Sequence, residues 1–107
     1  MEFNEYQELA LFTANSTDEQ RLVLNGVMGL CGESGECIDI VKKNIFQGHE
    51  LDKEKLKDEL SDVLWYLATC AAGIDVKLED IAIHNVNKLK KRYPNGFEAK
   101  RSINRED

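Results

Sequence analysis

The chain has 107 residues, which suits one domain spanning 1–107 and is too short for two. Its formal net charge of −6 argues against a nucleic acid polymer binding across the whole surface. Met1 is followed by polar residues, and no apolar run approaches the roughly 20 residues of a membrane span, so we expect a cytosolic protein without membrane partners.

The predicted elements are all helical, because Pro94 is the only proline and no turn-punctuated alternation of apolar residues precedes it. The helices predicted in chain order cover about 3–15, 18–45, 53–73 and 77–93. Ser16 or Thr17 is expected to cap the second helix and Asp52 the third. Gly73 and the YPNG segment are expected to end the third and fourth helices, and the tail over 97–107 is expected to be polar and irregular.

Four glycines recur every three residues inside the second helix, namely Gly26, Gly29, Gly32 and Gly35. Each glycine costs a helix up to about 1 kcal/mol relative to alanine. The row therefore predicts close approach by another helix or a ligand, with a kink or break near Gly32 as the alternative. The cysteines (Cys31, Cys37 and Cys70) lack a CxxC spacing and lie in apolar stretches, which predicts buried free thiols instead of a zinc site or disulfides.

Two pairs of carboxylates border apolar helix stripes. Glu33 and Glu36 are three residues apart in the second helix, and Glu59 and Asp62 are three apart in the third. Each pair is separated by about 60° around its helix. The midpoints of 36 with 59 and of 33 with 62 both fall between Gln47 and Gly48, in the predicted turn. An antiparallel hairpin would therefore place both pairs at one height, across one helix separation of about 8–10 Å.

Four like charges that converge in this way persist only if they are protonated, paired with cations or bound to metal. Oxygen ligands without histidine or cysteine indicate Mg²⁺ or Mn²⁺ at Glu33, Glu36, Glu59 and Asp62. Such a site suits metal-assisted attack of water on phosphorus. The alternative is that these acids are solvated surface charges, since ExxE spacings arise often by chance in a chain that is 32% charged.

The fourth helix carries a polar row that matches a polyphosphate. Asn85, Lys88 and Arg92 lie on one face, and an arginine is able to hold phosphate bidentately. Trp65 continues the acidic row of the third helix and either stacks on a nucleobase or packs in a core or interface. Seven of the 14 basic residues fall between Lys88 and Arg105, which indicates either a local anionic partner or cations that favour a helix C-terminus.

The segments GESGE, DELSDVLWYL and NVNKLKKRYP resemble the MazG-like nucleoside triphosphate pyrophosphohydrolases of the all-α NTP pyrophosphatase superfamily. The family pattern of ExxE, ExxD and N-x-x-K-x-x-x-R falls on the acid pairs and on the polar row named above. The resemblance covers about 20–97, and the predicted core spans about 18–97. It implies an all-α, four-helix MazG-like bundle completed by homo-oligomerisation, as a homodimer or homotetramer. The glycine row is not part of the resemblance.

The resemblance also implies Mg²⁺-dependent hydrolysis of a nucleoside triphosphate to its monophosphate and pyrophosphate. On this hypothesis all four acids hold metal, and Glu36, with Glu33 beside it, acts on the attacking water. Lys88 and Arg92 offset charge on the departing pyrophosphate, and Asn85 contacts metal or substrate. Two alternatives stay open: a non-catalytic nucleotide sensor or protein-interaction module that keeps the metal site, and a purely structural helical oligomer.

Overall fold

A computed structural model describes residues 1–106 as an all-α chain, as the sequence predicts. Its helices are α1 (Phe3–Phe12), α2 (Glu19–Phe46), α3 (Lys53–Gly73), α4 (Leu78–Arg92) and α5 (Ala99–Ile103). Helix α1 ends three residues earlier than predicted, and the next three helices agree with prediction to within one residue at each end. The tail was expected to be irregular, and this expectation is wrong because it contains the short helix α5.

The capping prediction is correct for α3 and wrong for α2. The side chain of Asp52 accepts a hydrogen bond from the Lys55 N–H at 3.0 Å, as expected for a capping residue. At the start of α2, however, it is Asp18 that accepts from the Arg21 N–H, at 3.3 Å. Ser16 does not cap the helix, because its hydroxyl oxygen accepts a hydrogen bond from the N–H of Asp18, the residue before the first helical position, at 3.0 Å.

Two glycines of α2 allow α3 to pack closely against it. A Cβ atom on Gly26 would lie 2.6 Å from Cys70 Cβ, and one on Gly29 would overlap the ring of Tyr66. At Gly32 and Gly35, no described atom lies within 4 Å of the corresponding position. Helix α2 continues unbroken through Gly32, so only the first half of the row serves helix approach.

Helix α1 is attached to the α3–α4 junction by a buried glutamine. The Gln7 amide donates to the carbonyls of Ala68 at 3.1 Å and Val76 at 3.0 Å, and its oxygen accepts from the Leu78 N–H at 3.0 Å. All polar atoms of this side chain are therefore satisfied inside the fold. The small core at this junction consists of Ala10, Ala68 and Leu78, with Tyr6, Trp65 and Leu67 packed against it.

The cysteines are free thiols, as predicted. The expectation that all of them are buried is wrong, since Cys31 is exposed and Cys37 and Cys70 are only partly covered. Among residues 1–106, no helix combines the length and apolar character that crossing a membrane would require.

Candidate metal centre

Three of the four predicted acids meet across the α2–α3 hairpin. Glu33 comes from α2, whereas Glu59 and Asp62 come from α3. One carboxylate oxygen from each lies within 4.8 Å of the others. The hairpin reverses at Gly48, which adopts a positive φ of 74° that favours glycine. The sequence places Glu33 and Asp62 at equal distances from this turn and Glu59 about one helical turn closer to it. The packing of the two helices brings the three side chains together.

The charged form of the Glu33 carboxylate is destabilised by this arrangement. Its Oε2 atom is buried, and no hydrogen-bond donor among the described residues reaches it. The pKa of Glu33 is raised to about 7, chiefly because a proton is held in a hydrogen bond with the Glu59 carboxylate. Removal from water and the charges of Glu59, Asp62 and Glu36 raise this pKa further. The cluster therefore favours a proton or another cation over three bare carboxylates.

Glu36 lies at the edge of the cluster instead of inside it. Its oxygens fall outside the group that lies within 4.8 Å, although its charge still contributes to the raised pKa of Glu33. The Glu36 side chain is exposed. This position leaves its carboxylate next to the cluster and open to solvent.

No lysine or arginine neutralises the three clustered acids through an ion pair in residues 1–106. The ion pairs there join Lys42 and Lys43 to Asp39, at 3.8 and 3.1 Å, and Lys57 to Glu54 at 4.0 Å. An all-oxygen donor set with an orphaned buried oxygen fits a hard divalent cation such as Mg²⁺ or Mn²⁺.

Tyr6 is a neighbour of the cluster that the sequence analysis did not single out. Burial raises the pKa of its phenol, and the negative charge of Asp62 raises it further. The ring also packs against the core at the α1–α3 contact. The only signal in the sequence was its place on the apolar face of α1, which does not distinguish a core tyrosine from one beside a site.

The predicted substrate residues of the polar row belong to α4, which contributes no member of the three-acid cluster. Asn85 and Lys88 are exposed on α4, and Arg92 lines a separate cleft at the end of that helix. The main neighbours of α4 are α1 and α3. The convergence of this polar row with the carboxylates therefore stays a prediction.

Trp65 is anchored in the fold. Its indole N–H donates to the Thr13 hydroxyl at 2.8 Å, and its ring meets that of Tyr66 edge-on at 5.1 Å. The side chain packs against the junction core. This placement is that of a core residue, and stacking on a nucleobase stays a prediction.

The sequence-family model of the MazG nucleotide pyrophosphohydrolase domain matches residues 23–97 of the chain. The chain belongs to the MazG nucleotide pyrophosphohydrolase family. The MazG match contains all three clustered acids, Glu36 and the polar row of α4. A protein of Mycobacterium phage L5, described as "Gene 37 protein", is 38% identical over 73 residues. The aligned region is 64% of this chain and 64% of the phage protein's length. No solved structure matches the chain.

Proposed function

We propose that this MazG-family protein is a Mg²⁺-dependent pyrophosphohydrolase that converts a nucleoside triphosphate, ribo or deoxy, to its monophosphate and pyrophosphate. The observation that carries the proposal is the cluster of Glu33, Glu59 and Asp62, in which one oxygen from each carboxylate lies within 4.8 Å of the others inside the family domain. The family resemblance selects the bond between the α- and β-phosphates, because a carboxylate-held metal would also serve hydrolysis at the γ-phosphate.

Glu33, Glu59 and Asp62 would hold the metal, with Glu36 completing the set from the edge of the cluster. When bound there, Mg²⁺ supplies charge that polarises a phosphoryl oxygen and lowers the pKa of a coordinated water. The orphaned Oε2 atom of Glu33 supports this assignment, because a buried carboxylate oxygen without a donor is costly unless a cation reaches it.

Glu36 is our candidate for the residue that orients or deprotonates the attacking water. It is exposed and adjacent to the cluster, which suits a base that must reach a solvent molecule and release a proton. Lys88 and Arg92 would offset the charge on the departing pyrophosphate, and Asn85 and Trp65 would contact the substrate.

We infer that two copies of the chain associate, as a homodimer or as a homotetramer of paired dimers. The radius of gyration is 16.8 Å, against about 13 Å expected for a compact domain of this length. The accessible surface is 8251 Å². This is about 2,200 Å² more than a compact monomer of 12.2 kDa should expose. An obligate dimer interface buries about 2,000–5,000 Å² or more in total, or about 1,000–2,500 Å² per chain. Such an interface would be large enough to bury this excess surface.

The α2 helix offers the surface for such an interface. Its exposed large apolar side chains are Leu24, Val27, Met28, Ile38, Val41, Ile45 and Phe46. The last four line an apolar groove of about 360 Å³. Sedimentation of the wild type should therefore give at least twice 12.2 kDa. Ile38→Glu should shift the protein towards monomer, while Lys53→Glu on a polar surface should not. A stable wild-type monomer at micromolar concentration would refute the inference.

The proposed reaction is tested by hydrolysis of a nucleotide panel in ¹⁸O-labelled water with Mg²⁺. We expect monophosphate and pyrophosphate, with no diphosphate intermediate and with the label in the monophosphate for attack at the α-phosphorus. Glu36→Ala and Glu59→Ala should each abolish turnover and keep the helical content, whereas Lys88→Ala should chiefly raise KM. Label in free orthophosphate would overturn the assignment of the bond. Tight nucleotide binding without cleavage under any divalent metal would favour a nucleotide sensor instead.

A further inference from the structure

A basic cleft opens where the C-terminal end of α4 meets α5. A turn joins them in which Gly96 has a φ of 89°, and the ring centroids of Tyr93 and Phe97 lie 5.3 Å apart across it. The cleft has a volume of about 620 Å³, within the range of roughly 300–1,000 Å³ typical of small-molecule sites. The cations that line it are Lys91, Arg92, Lys100, Arg101 and Arg105.

The positive charge of this cleft exceeds what the dipole of α4 explains. Glu98 and Glu106 are the acids among its described lining residues, and Arg92 and Arg105 already take part in other interactions. The positive charge that the cleft offers to a ligand therefore comes from Lys91, Lys100 and Arg101. The negative end of α4 favours cations in its own last turn. It does not account for Lys100, Arg101 and Arg105, which lie on or after α5.

A hydrogen bond connects α5 to the end of α4, and two lysines of the cleft are exposed to solvent. The Arg101 guanidinium donates a long hydrogen bond of 3.5 Å to the Arg92 carbonyl, and the Asn104 amide donates to the Lys100 carbonyl at 2.9 Å. Lys91 and Lys100 are exposed, and neither takes part in an ion pair within residues 1–106. Their ammonium groups are therefore available to an anion that enters the cleft.

We propose that this cleft binds the phosphate chain of a small oligophosphate, independently of the carboxylate cluster. Ammonium and guanidinium groups converging on a concave surface match an anion with several charged oxygens. A nucleic acid duplex would require a longer basic stripe and would meet the net negative charge of the remaining surface. The inference goes beyond the proposed function. Of the cations in the cleft only Arg92 has a role in that function, whereas Lys91, Lys100 and Arg101 have none, and the Mg²⁺ cluster is not needed.

The test is calorimetric titration of the full chain with inorganic triphosphate, in EDTA and at low salt. We expect one site per chain. Lys100→Gln combined with Arg101→Gln should weaken binding about tenfold or more, because two charge-assisted contacts are lost. Lys53→Gln combined with Lys57→Gln removes two exposed cations from the start of α3 and should leave the affinity unchanged.

A second variant keeps the test valid if α5 unfolds when Arg101 is replaced. Lys91→Gln changes a residue of α4 that does not tie α5 in place, and it should weaken triphosphate binding about threefold or more while circular dichroism stays that of the wild type. Competition by ATP would identify the phosphate chain of a nucleotide as a ligand, and failure of ATP to compete would restrict the site to free inorganic oligophosphate; either result supports the proposal.

Four results would overturn the proposal. They are the absence of triphosphate binding by the wild type, an equal loss in the α3 control, loss of Mg²⁺-free binding in Glu33→Gln, and displacement of triphosphate by a single-stranded oligonucleotide that binds more tightly. The third result would move the site to the carboxylate cluster, and the fourth would identify a nucleic acid surface. A failure of nucleotide hydrolysis would not bear on it, because the titration is done without metal.

Discussion

Binding of Mg²⁺ to the carboxylate cluster should release a proton near neutral pH. The pKa of Glu33 is raised to about 7, chiefly by the hydrogen bond with Glu59, so about half of the metal-free molecules hold a proton there at pH 7. A carboxylate must lose its proton to bind metal. Release should therefore fall from about 0.9 proton per site at pH 6 to about 0.5 at pH 7 and about 0.1 at pH 8.

The assay is calorimetric titration of Mg²⁺ at each pH in two buffers of different ionisation enthalpy, from which the number of released protons follows. Glu54→Gln serves as the control, because Glu54 is an exposed acid in the first turn of α3. It should release protons as the wild type does, whereas Glu33→Gln has no proton to lose at this position. A release that is constant from pH 6 to pH 8, or that persists in Glu33→Gln, would refute the reasoning.

Three further predictions concern stability. The folded-state pKa of Glu33 is about 7, above its ordinary value of 4.5. The stabilising contribution of Glu33 is therefore complete below pH 4.5 and is lost as the pH rises through about 7. The Tm in EDTA should fall between these two pH values, and Glu33→Gln should make the fall smaller. Gly26→Ala should lower the free energy of unfolding, measured by urea denaturation, by about 2 kcal/mol, because the new Cβ atom would lie 2.6 Å from Cys70 Cβ. Gly32→Ala should instead raise this free energy by up to about 1 kcal/mol, because open space surrounds the position. Gln7→Ala should cost about 3 kcal/mol by the same measurement, since two buried backbone groups and one part-buried group lose their hydrogen bond to this side chain. Asn4→Ala, whose bonds are exposed, should cost less than about 1 kcal/mol. Equal losses in the two glycine variants, or in Gln7→Ala and Asn4→Ala, would contradict these explanations.

The sequence by itself determined the helices and the pairing of α2 with α3. Apolar spacing, Asp52 as a cap and Gly48 in the turn are local signals, because a helix begins, continues and ends through contacts within one or two turns. The equal distances of Glu33 and Asp62 from the turn then bring these acids to one height, since every residue of a helix advances the chain by the same rise.

Only the tertiary structure decided which groups meet at that height. Glu33 enters the cluster and Glu36 stays at its edge, although both lie on the same flank of α2. Gly26 admits α3 while Gly32 faces open space, and Trp65 bonds to Thr13 of the loop after α1. Helical periodicity gives the angle between residues of one helix, but the rotation and crossing of two helices depend on how the side chains of both fill their shared contact. That contact joins residues distant in the chain, and no local pattern specifies it.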